Sequence, residues 1–238
     1  IEEIQPTIQT YRDQILLLQK LSYENLSDLT EEMAEDALKF CLGFLHINFQ
    51  PLWETIFGII ESYIGNFDIN IFWRVFHHQL QAVVSSEEEV VETNLSEIEF
   101  INENFKDFAT VTDRYDAIAY RVKLLKILSD SKSSICDTKQ RDIADLFFDF
   151  FTNEYEAADE DAPKGRQKLL ISHLQVLAKF TNPRCVTRGK ELRKLYIELL
   201  QHRNFQVQKL ALDCILHYKE PAVVNYKEIL LNCVNEKT

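Results

Sequence analysis

Apolar residues recur along this chain with the period of an amphipathic helix. Between Ala34 and Leu45 they occupy positions 34, 37, 38, 41, 42 and 45, and the same spacing returns over 143–151, 192–200 and 207–218. Spacings of three and four residues line one face of an α-helix, whereas a half-buried strand alternates at every second residue. No long stretch of the sequence alternates in that way. The pattern therefore predicts an all-α protein.

The same period gives the ranges of the predicted helices. They are 7–21, 30–45, 50–65, 68–84, 97–109, 112–129, 138–153, 164–180, 188–203, 206–219 and 223–235. Gly65 and Asn66 can adopt the left-handed conformation that ends a helix, and Pro221 cannot extend the helix before it. A short polar turn at 203–205 joins two of the helices, and the small side chain of Ala211 allows these two to approach closely.

Taken two at a time, the predicted helices form a repeat. The pairs begin at residues 7, 50, 97, 138, 188 and 223, at steps of 43, 47, 41, 50 and 35 residues. HEAT and armadillo repeats have about 40–47 residues, and each unit buries its apolar face by stacking on its neighbours. We predict an α-solenoid of HEAT/armadillo-like antiparallel helix pairs, a single run of about five pairs over residues 1–238. A single irregular helical domain is the alternative, because the repeat shows no residue-by-residue similarity.

Aromatic residues fall at helical spacing in the first third of the chain. We predict that they form a core between stacked helices; a groove for a partner helix or peptide is the alternative. They are Phe49, Trp53, Phe57, Phe67, Phe72, Trp73 and Phe76. Of the adjacent His77 and His78, which point about 100° apart on a helix, we expect one to pack beside Trp73 and the other to be solvated.

Two acidic stretches interrupt the helical pattern. Residues 85–97 and 154–165 are rich in Glu and Asp, and like charges at that density oppose a compact structure. We predict mobile surface loops over both ranges.

Composition is consistent with a helical protein. Five Gly and five Pro leave little material for the tight turns of an all-β fold, and 46% apolar residues suffice for a core. No stretch reaches the ~18 apolar residues of a membrane helix, so we expect no membrane contact.

The five widely spaced cysteines suggest neither a disulfide framework nor a zinc site and fit a reducing compartment. Because the chain begins with Ile1 and its last apolar segment, 225–234, runs nearly to its end, we expect a fragment of a longer protein.

Charge divides the chain into two parts. The net charge is −12, but residues 1–162 hold 12 Lys and Arg against 32 Asp and Glu, a net charge of −20. Residues 163–238 hold 14 basic against 6 acidic residues, a net charge of +8. The two parts therefore face different partners, or each other.

Motifs of catalysis and cofactor binding are missing from the sequence. The glycines never cluster into a phosphate-binding loop, and the serines lack a G-x-S-x-G elbow. A two-histidine metal face needs i, i+4 spacing, which the adjacent His77 and His78 do not have. The isolated histidines at 46, 173, 202 and 217 sit at the edges of amphipathic helices, where packing roles are usual. We predict no enzyme activity, no cofactor, no metal and no small-molecule substrate.

Basic residues near one predicted helix are the most promising functional feature. They are Arg184, Arg188, Lys190, Arg193 and Lys194. Lys190, Arg193 and Lys194 avoid the apolar stripe of that helix, so they are candidates for contact with RNA phosphate, which Lys and Arg bind by charge neutralisation. Acidic segments of the same chain or of a protein partner are the alternative mates.

Two C-terminal segments carry a resemblance to a known family. They are FTNPR at 180–184 and LRKLYIELLQHRNFQVQKLALDCILHYKEPAVVNYKEIL at 192–230. An F-T-N-P element is followed by a Leu/Tyr-rich helix ending in L-L-x-H-R, a V-Q-K-x-x-L-D-C-I helix, and Tyr-Lys and Pro before a Tyr-containing helix. In this order they resemble component 20 of the small-subunit processome, the down-regulated in metastasis family of nucleolar HEAT-repeat proteins. Residues 1–179 match the family only in their helical, acidic character.

The resemblance implies a long helical-repeat scaffold of the nucleus and nucleolus. Its implied role is pre-rRNA processing and small ribosomal subunit biogenesis, without catalytic residues. The implied partners are ribosome-assembly proteins and, through the basic C-terminal part, pre-rRNA or small nucleolar RNA. The alternative is an importin-like HEAT-repeat transport adaptor, which binds basic protein cargo through acidic inner surfaces.

Overall fold

All regular secondary structure in the described part of the chain is helical, which confirms the all-α prediction. The computed structural model describes residues 9–25, 30–47, 49–88, 117–156 and 164–234. The α-helices are α1 (Tyr11–Leu18), α2 (Glu31–Phe44), α3 (Gln50–Asn66), α4 (Ile69–Glu88), α5 (Ala117–Asp130), α6 (Ile135–Thr138), α7 (Gln140–Phe150), α8 (Lys164–Leu177), α9 (Gly189–Leu199), α10 (Phe205–Leu216), α11 (Pro221–Val224) and α12 (Lys227–Cys233). Shorter turns are 3₁₀-helical at Gln19–Leu21, Tyr23–Asn25 and Pro183–Cys185, and π-helical at Phe151–Tyr155. None of the helices in these ranges is both long and apolar enough to cross a membrane.

The chain divides into two compact units, Ile1–Ile127 and Leu128–Thr238, with the boundary inside α5. In the first unit, α2 packs against α3 and α4, and α1 packs against α3. Apolar side chains at helical spacing fill the space between these helices. Those with no exposed surface include Leu38, Cys41, Leu42, Ile56, Ile60, Tyr63, Phe72 and Phe76. The amphipathic period read from the sequence therefore corresponds to the buried faces.

The aromatic residues of the first unit belong to its core, although they are buried to different degrees. Four are buried and three are half-buried: Phe67, Phe72, Trp73 and Phe76, and then Phe49, Trp53 and Phe57. The ammonium groups of Lys123 and Lys126 lie over the rings of Trp53 and Phe57, so α5 covers these two side chains. His77 lies beside Trp73, with ring centroids 5.5 Å apart, and His78 is exposed, as predicted.

In the second unit, α10 is packed between neighbours in the chain. It contacts both α8 and α9, and α8 contacts α7 and the π-helical turn. Side chains with no exposed surface include Phe147, Leu170, Leu174, Val176, Phe180, Leu192, Val207 and Ala211. Ala211 is among them, which agrees with the close helix approach predicted from its small side chain. Asn204 caps α10: its Oδ1 accepts hydrogen bonds from the N–H groups of Gln206 (2.8 Å) and Val207 (3.4 Å).

The structure has breaks at two predicted helices, one at the start of its range and one inside it. The predicted helix 138–153 corresponds to α7 and the π-helical turn that continues it, and Lys139, at φ −109° and ψ 24°, separates α7 from α6. In place of 223–235, the chain forms α11 and α12, separated by Tyr226 at φ −111° and ψ 14°. Both residues lie outside the α-helical region, with φ more negative than −90° and positive ψ, which ends the regular hydrogen-bond ladder. The hydrophobic period cannot detect such breaks, because it passes through them almost unchanged.

The acidic stretches lie only partly within the described residues. Helix α4 continues through Glu88, four residues into the predicted loop 85–97, and residues 89–97 lie outside the described ranges. The predicted helix 97–109 also lies outside them. In the stretch 154–165, Glu154 and Tyr155 belong to the π-helical turn, 157–163 are outside, and α8 begins at Lys164.

Candidate functional site

The F-T-N-P element connects α8 to α9 and is fixed by its own side chains. Phe180 is fully buried. The backbone N–H and the hydroxyl of Thr181 donate hydrogen bonds to the two carboxylate oxygens of Asp137, at 2.8 and 2.9 Å. Gln140 donates to the same carboxylate at 2.8 Å. The element that carries the family resemblance is thus tied to α6 across 44 residues of sequence.

The charge state of Asp137 follows from these contacts. Partial burial acts to raise the pKa of its carboxyl group, but the hydrogen bonds from Thr181 and Gln140 outweigh burial, and the pKa is lowered. The ionised carboxylate is therefore the form that joins α6 to the F-T-N-P element.

Helix α9 begins where two backbone segments meet closely. A Cβ atom on Gly189 would lie 2.6 Å from the carbonyl oxygen of Pro183, which is closer than side chains allow. The hydroxyl of Tyr218, at the end of α10, donates a hydrogen bond to the carbonyl oxygen of Gly189 at 2.7 Å. The start of α9, and with it the basic residues of this helix, is therefore fixed from both sides.

Arg193 is paired with a carboxylate from the turn after α10. Its Nε lies 2.8 Å from Oε1 of Glu220 and its Nη2 lies 2.7 Å from Oε2, a two-pronged contact. The hydrogen bonds from Arg193 lower the pKa of Glu220, and the charges of Arg193 and Arg184 act in the same direction. Arg193 thus binds Glu220 directly, whereas Arg184 affects it only through its charge.

Arg188 is held at the N-terminus of α9 by two groups of its own unit. Its Nε and Nη2 lie 2.9 and 2.7 Å from Oε2 of Glu191. Its guanidinium carbon lies 3.5 Å from the ring centroid of Phe148, a cation–π contact. This arginine therefore packs against α7 instead of projecting freely into solvent.

The remaining candidates are exposed. Lys194 lies 3.7 Å from Glu198, an exposed pair of the same helix. Arg184 and Lys190 are exposed, and no carboxylate of the described residues lies within ion-pair distance of either. The five predicted residues thus separate into three cations paired with carboxylates of their own unit and two that face solvent. The carboxylate partners of Arg188, Arg193 and Lys194 lie outside the acidic stretches 85–97 and 154–165.

Sequence reasoning missed the partners of these cations. Glu191 and Glu198 stand three and four residues after Arg188 and Lys194, a spacing at which helical side chains meet, so these two pairs were detectable. Glu220 lies 27 residues from Arg193, and Phe148 is on another helix, so no sequence spacing indicated them.

The turn between α9 and α10 is built around a neutral histidine. Nδ1 of His202 accepts a hydrogen bond from the N–H of Asn204 at 3.0 Å, and Nε2 lies 2.7 Å from the hydroxyl of Tyr155. A donor facing Nδ1 requires that nitrogen to be unprotonated, so the ring hydrogen is on Nε2 and points to Tyr155. Burial lowers the pKa of His202, which favours the same neutral form. His202 therefore has a packing role at the helix edge.

The first unit contains a buried cation at the C-terminal end of α2. The ammonium group of Lys123 donates a hydrogen bond to the carbonyl oxygen of Leu45 at 2.7 Å and lies 3.9 Å from the ring centroid of Trp53. His46 stacks on Tyr120 with centroids 3.6 Å apart; burial, aided by the charge of Lys123, lowers the pKa of His46 to about 4. A cation near helix C-terminal carbonyls is electrostatically favourable. This cluster fastens α5 to α2.

Across the described ranges, no group of three or more His, Cys, Asp or Glu side chains is arranged to hold a metal ion. The surface around α9 is therefore the candidate site that the geometry offers: exposed cations beside cations that are paired internally.

Comparisons with known proteins point to one family. Residues 164–238 match the family model described as U3 small nucleolar RNA-associated protein 20, N-terminal. The chain is also similar, over 99% of its length, to U3 small nucleolar RNA-associated protein 20 of Saccharomyces cerevisiae (strain ATCC 204508 / S288c), with 21% identity over 272 residues. The matched stretch is 11% of the yeast protein, so the chain spans about a tenth of that relative's length.

The family match lies on the part of the chain that contains the site. It includes α8 to α12, the F-T-N-P element and all five candidate basic residues. These findings confirm the resemblance seen in the F-T-N-P and V-Q-K-x-x-L-D-C-I segments: the chain is similar to the U3 small nucleolar RNA-associated protein 20 family.

Proposed function

We propose that this chain is a non-catalytic scaffold segment of the small-subunit processome, which supports pre-rRNA processing and small ribosomal subunit biogenesis in the nucleolus. The observation that carries the proposal is the family match over 164–238 together with similarity along 99% of the chain to a U3 small nucleolar RNA-associated protein. An entirely helical described structure suits a scaffold, because helices stacked in sequence present long surfaces to several partners.

The proposed architecture is a HEAT-type solenoid, with about five helix pairs in one run. The packing within the second unit supports it, since α10 covers both α9 and α8 and each helix is buried by neighbours in the chain. Such stacking of sequential helices is the way in which repeat arrays bury their apolar faces.

Ribosome-assembly proteins are the proposed partners of the scaffold, and RNA is the proposed partner of the surface around α9. The exposed Arg184 and Lys190, in a part of the chain with a net charge of +8, support the RNA contact. Contacts of this kind neutralise phosphate charge and weaken with salt.

Co-sedimentation tests the scaffold. A tagged form of the chain, expressed in cells, is expected to sediment with pre-ribosomal particles on a gradient. Binding to the nuclear-transport GTPase without co-sedimentation would instead favour the importin-like adaptor.

Charge substitution tests the surface. Arg184→Gln together with Lys190→Gln is expected to weaken association with pre-ribosomal RNA about tenfold at low salt, and the difference is expected to shrink as salt increases. The matched control is Lys209→Gln with Lys227→Gln, which removes two exposed cations from α10 and α12 of the same unit. Equal effects of the two double variants would show that only the net charge matters and would contradict a contact at α9.

A further inference from the structure

The carboxylate of Glu220 is bound by a cation from another element. Arg193 of α9 contacts it with two nitrogens, at 2.8 and 2.7 Å, and the charge of Arg184, from the turn before α9, also acts on it. Arg193 therefore binds this internal anion directly, and the charge of Arg184 acts on it from beyond ion-pair distance.

The turn that presents Glu220 has an uncommon backbone. Lys219 has φ 50°, in the left-handed region that residues with a side chain rarely adopt. On one side of it, the hydroxyl of Tyr218 is bonded to Gly189 at the start of α9; on the other, Glu220 is bonded to Arg193 further along the same helix. The turn therefore contacts α9 at two points, Gly189 and Arg193.

The Arg193–Glu220 pair is open to solvent. The side chain of Arg193 is 38% exposed and that of Glu220 is 28% exposed. Water and salt compete for both charges at this exposure, although the two-pronged geometry makes the pair stronger than a surface pair with one contact. A ligand anion can therefore reach the arginine and replace the carboxylate.

The geometry suits a phosphate as well as a carboxylate. The planar guanidinium fork binds either group with two parallel hydrogen bonds. Lys190 and Lys194 lie on the exposed face of α9 within one turn of Arg193, so the cations continue beside the pair. A row of cations matches a backbone with repeated phosphates better than it matches one carboxylate side chain.

We propose that Arg193 forms a phosphate subsite for RNA, near the exposed Arg184, and that Glu220 occupies this subsite while RNA is absent. This proposal rests on the RNA contact of the proposed function. The carboxylate of Glu220 lowers the affinity for RNA, because RNA must displace it from Arg193. A single-stranded backbone then runs along Lys190 and Lys194. Displacement also releases one of the two points at which the turn 218–220 holds α9.

Removal of the internal carboxylate is the direct test. Glu220→Gln in the full chain is expected to tighten binding of a fluorescein-labelled single-stranded RNA about three- to fivefold at low salt, the gain available when an exposed ion pair no longer competes. The matched control, Glu228→Gln, removes the same charge from the first turn of α12, where Glu228 is exposed and forms none of the ion pairs found in the described residues. It is expected to change affinity less than twofold. Equal gains in the two variants would overturn the subsite.

A double-mutant cycle separates the pair from general charge effects. Arg193→Gln is expected to weaken RNA binding and to reduce the slope of log K against log salt by about 0.7, the share of one phosphate contact with a single strand. In the Arg193→Gln background, Glu220→Gln is expected to give no further gain. An undiminished gain there would show that Glu220 does not act through Arg193. Thermal melts followed by circular dichroism verify that the variants fold. If the Glu220 variant does not fold, the slope of log K against log salt for Arg193→Gln decides whether Arg193 contacts a phosphate.

Other outcomes of these experiments distinguish an RNA subsite from a protein-binding site, and the subsite from the processome assignment. If Glu220→Gln tightens binding of an acidic peptide but not of RNA, the subsite serves a protein and the RNA proposal is wrong. If the chain co-sediments with pre-ribosomes while all variants bind RNA alike, the scaffold stands and the subsite fails. If the cycle succeeds and co-sedimentation fails, the subsite stands and the processome assignment fails.

Discussion

Gly189 illustrates how a single residue decides the placement of the site. Its backbone approaches Pro183 so closely that no side chain fits, and its carbonyl oxygen accepts the hydrogen bond of Tyr218. From the sequence, this glycine could only be said not to belong to a phosphate-binding loop. Its real role depends on a contact with the preceding turn, and the spacing of residues does not reveal such a contact.

We expect Gly189→Ala to lower the free energy of unfolding by about 2 kcal/mol, because a Cβ at 2.6 Å from a backbone oxygen forces α9 or the F-T-N-P element to move. Gly58→Ala is the matched control: nothing lies within 4 Å of its Cβ position inside α3, so replacement is expected to stabilise the protein by about 0.5–1 kcal/mol. Urea denaturation followed by circular dichroism measures both. A Gly189→Ala variant as stable as the unmodified chain would disprove the close contact.

Helices were the elements that the sequence predicted best, because long amphipathic segments keep their period when they pack. The boundaries of α2, α3, α9 and α10 lie within a few residues of the predicted ones. The breaks at Lys139 and Tyr226 were missed, since a change of one backbone angle leaves the apolar period intact. The candidate cations were identified correctly as lying on or near α9, but not their pairing with Glu220 and Phe148, which depends on packing between elements.

The link between α6 and the F-T-N-P element is expected to depend on pH. Because the pKa of Asp137 is lowered in the folded chain, its contribution to stability is present above the ordinary carboxyl pKa and is lost as pH falls through the lowered value. Asp137→Asn should cost about 1 kcal/mol near neutral pH, where the charge-assisted bonds to Thr181 are lost, and progressively less under acidic conditions. The measurement is the free energy of unfolding from urea titrations between neutral and acidic pH. A difference that does not vary with pH would contradict this role of the ionised carboxylate.

At the scale of the whole molecule, the positive net charge and the family match fall on the same C-terminal segment. The basic part begins at residue 163 and the family match begins at 164, so the segment with a recognisable sequence is also the one with a net positive charge. The acidic remainder lies outside the family match, although the similarity to the yeast protein extends over 99% of the chain. Charge balance could be read from the sequence, whereas the division into two compact units could not, because its boundary falls inside a continuous helix.

Thiol chemistry provides a test of the fold across both units. Cys41, Cys136 and Cys214 are buried, and burial raises the pKa of Cys41 and Cys136 to about 12, so these thiols are protonated and inaccessible. Cys185 and Cys233 are exposed. A thiol reagent is therefore expected to modify these two cysteines in the folded chain and all five in denaturant, as counted by mass spectrometry. Rapid modification of Cys41 or Cys214 without denaturant would show that the corresponding unit is not packed as described.

The buried contacts of α5 also bear on the order in which the chain folds. Tyr120 and Lys123 bind the carbonyl oxygens of Leu42 and Leu45, each across 78 residues of sequence, whereas Tyr218 reaches Gly189 across 29. The entropy lost in closing a loop grows with its length, and contacts distant in sequence slow folding. We therefore expect α9 and α10 to assemble early and the docking of α5 on α2 to be the slow step. During synthesis, the C-terminal end of α2 lacks these contacts until the chain has been extended through α5.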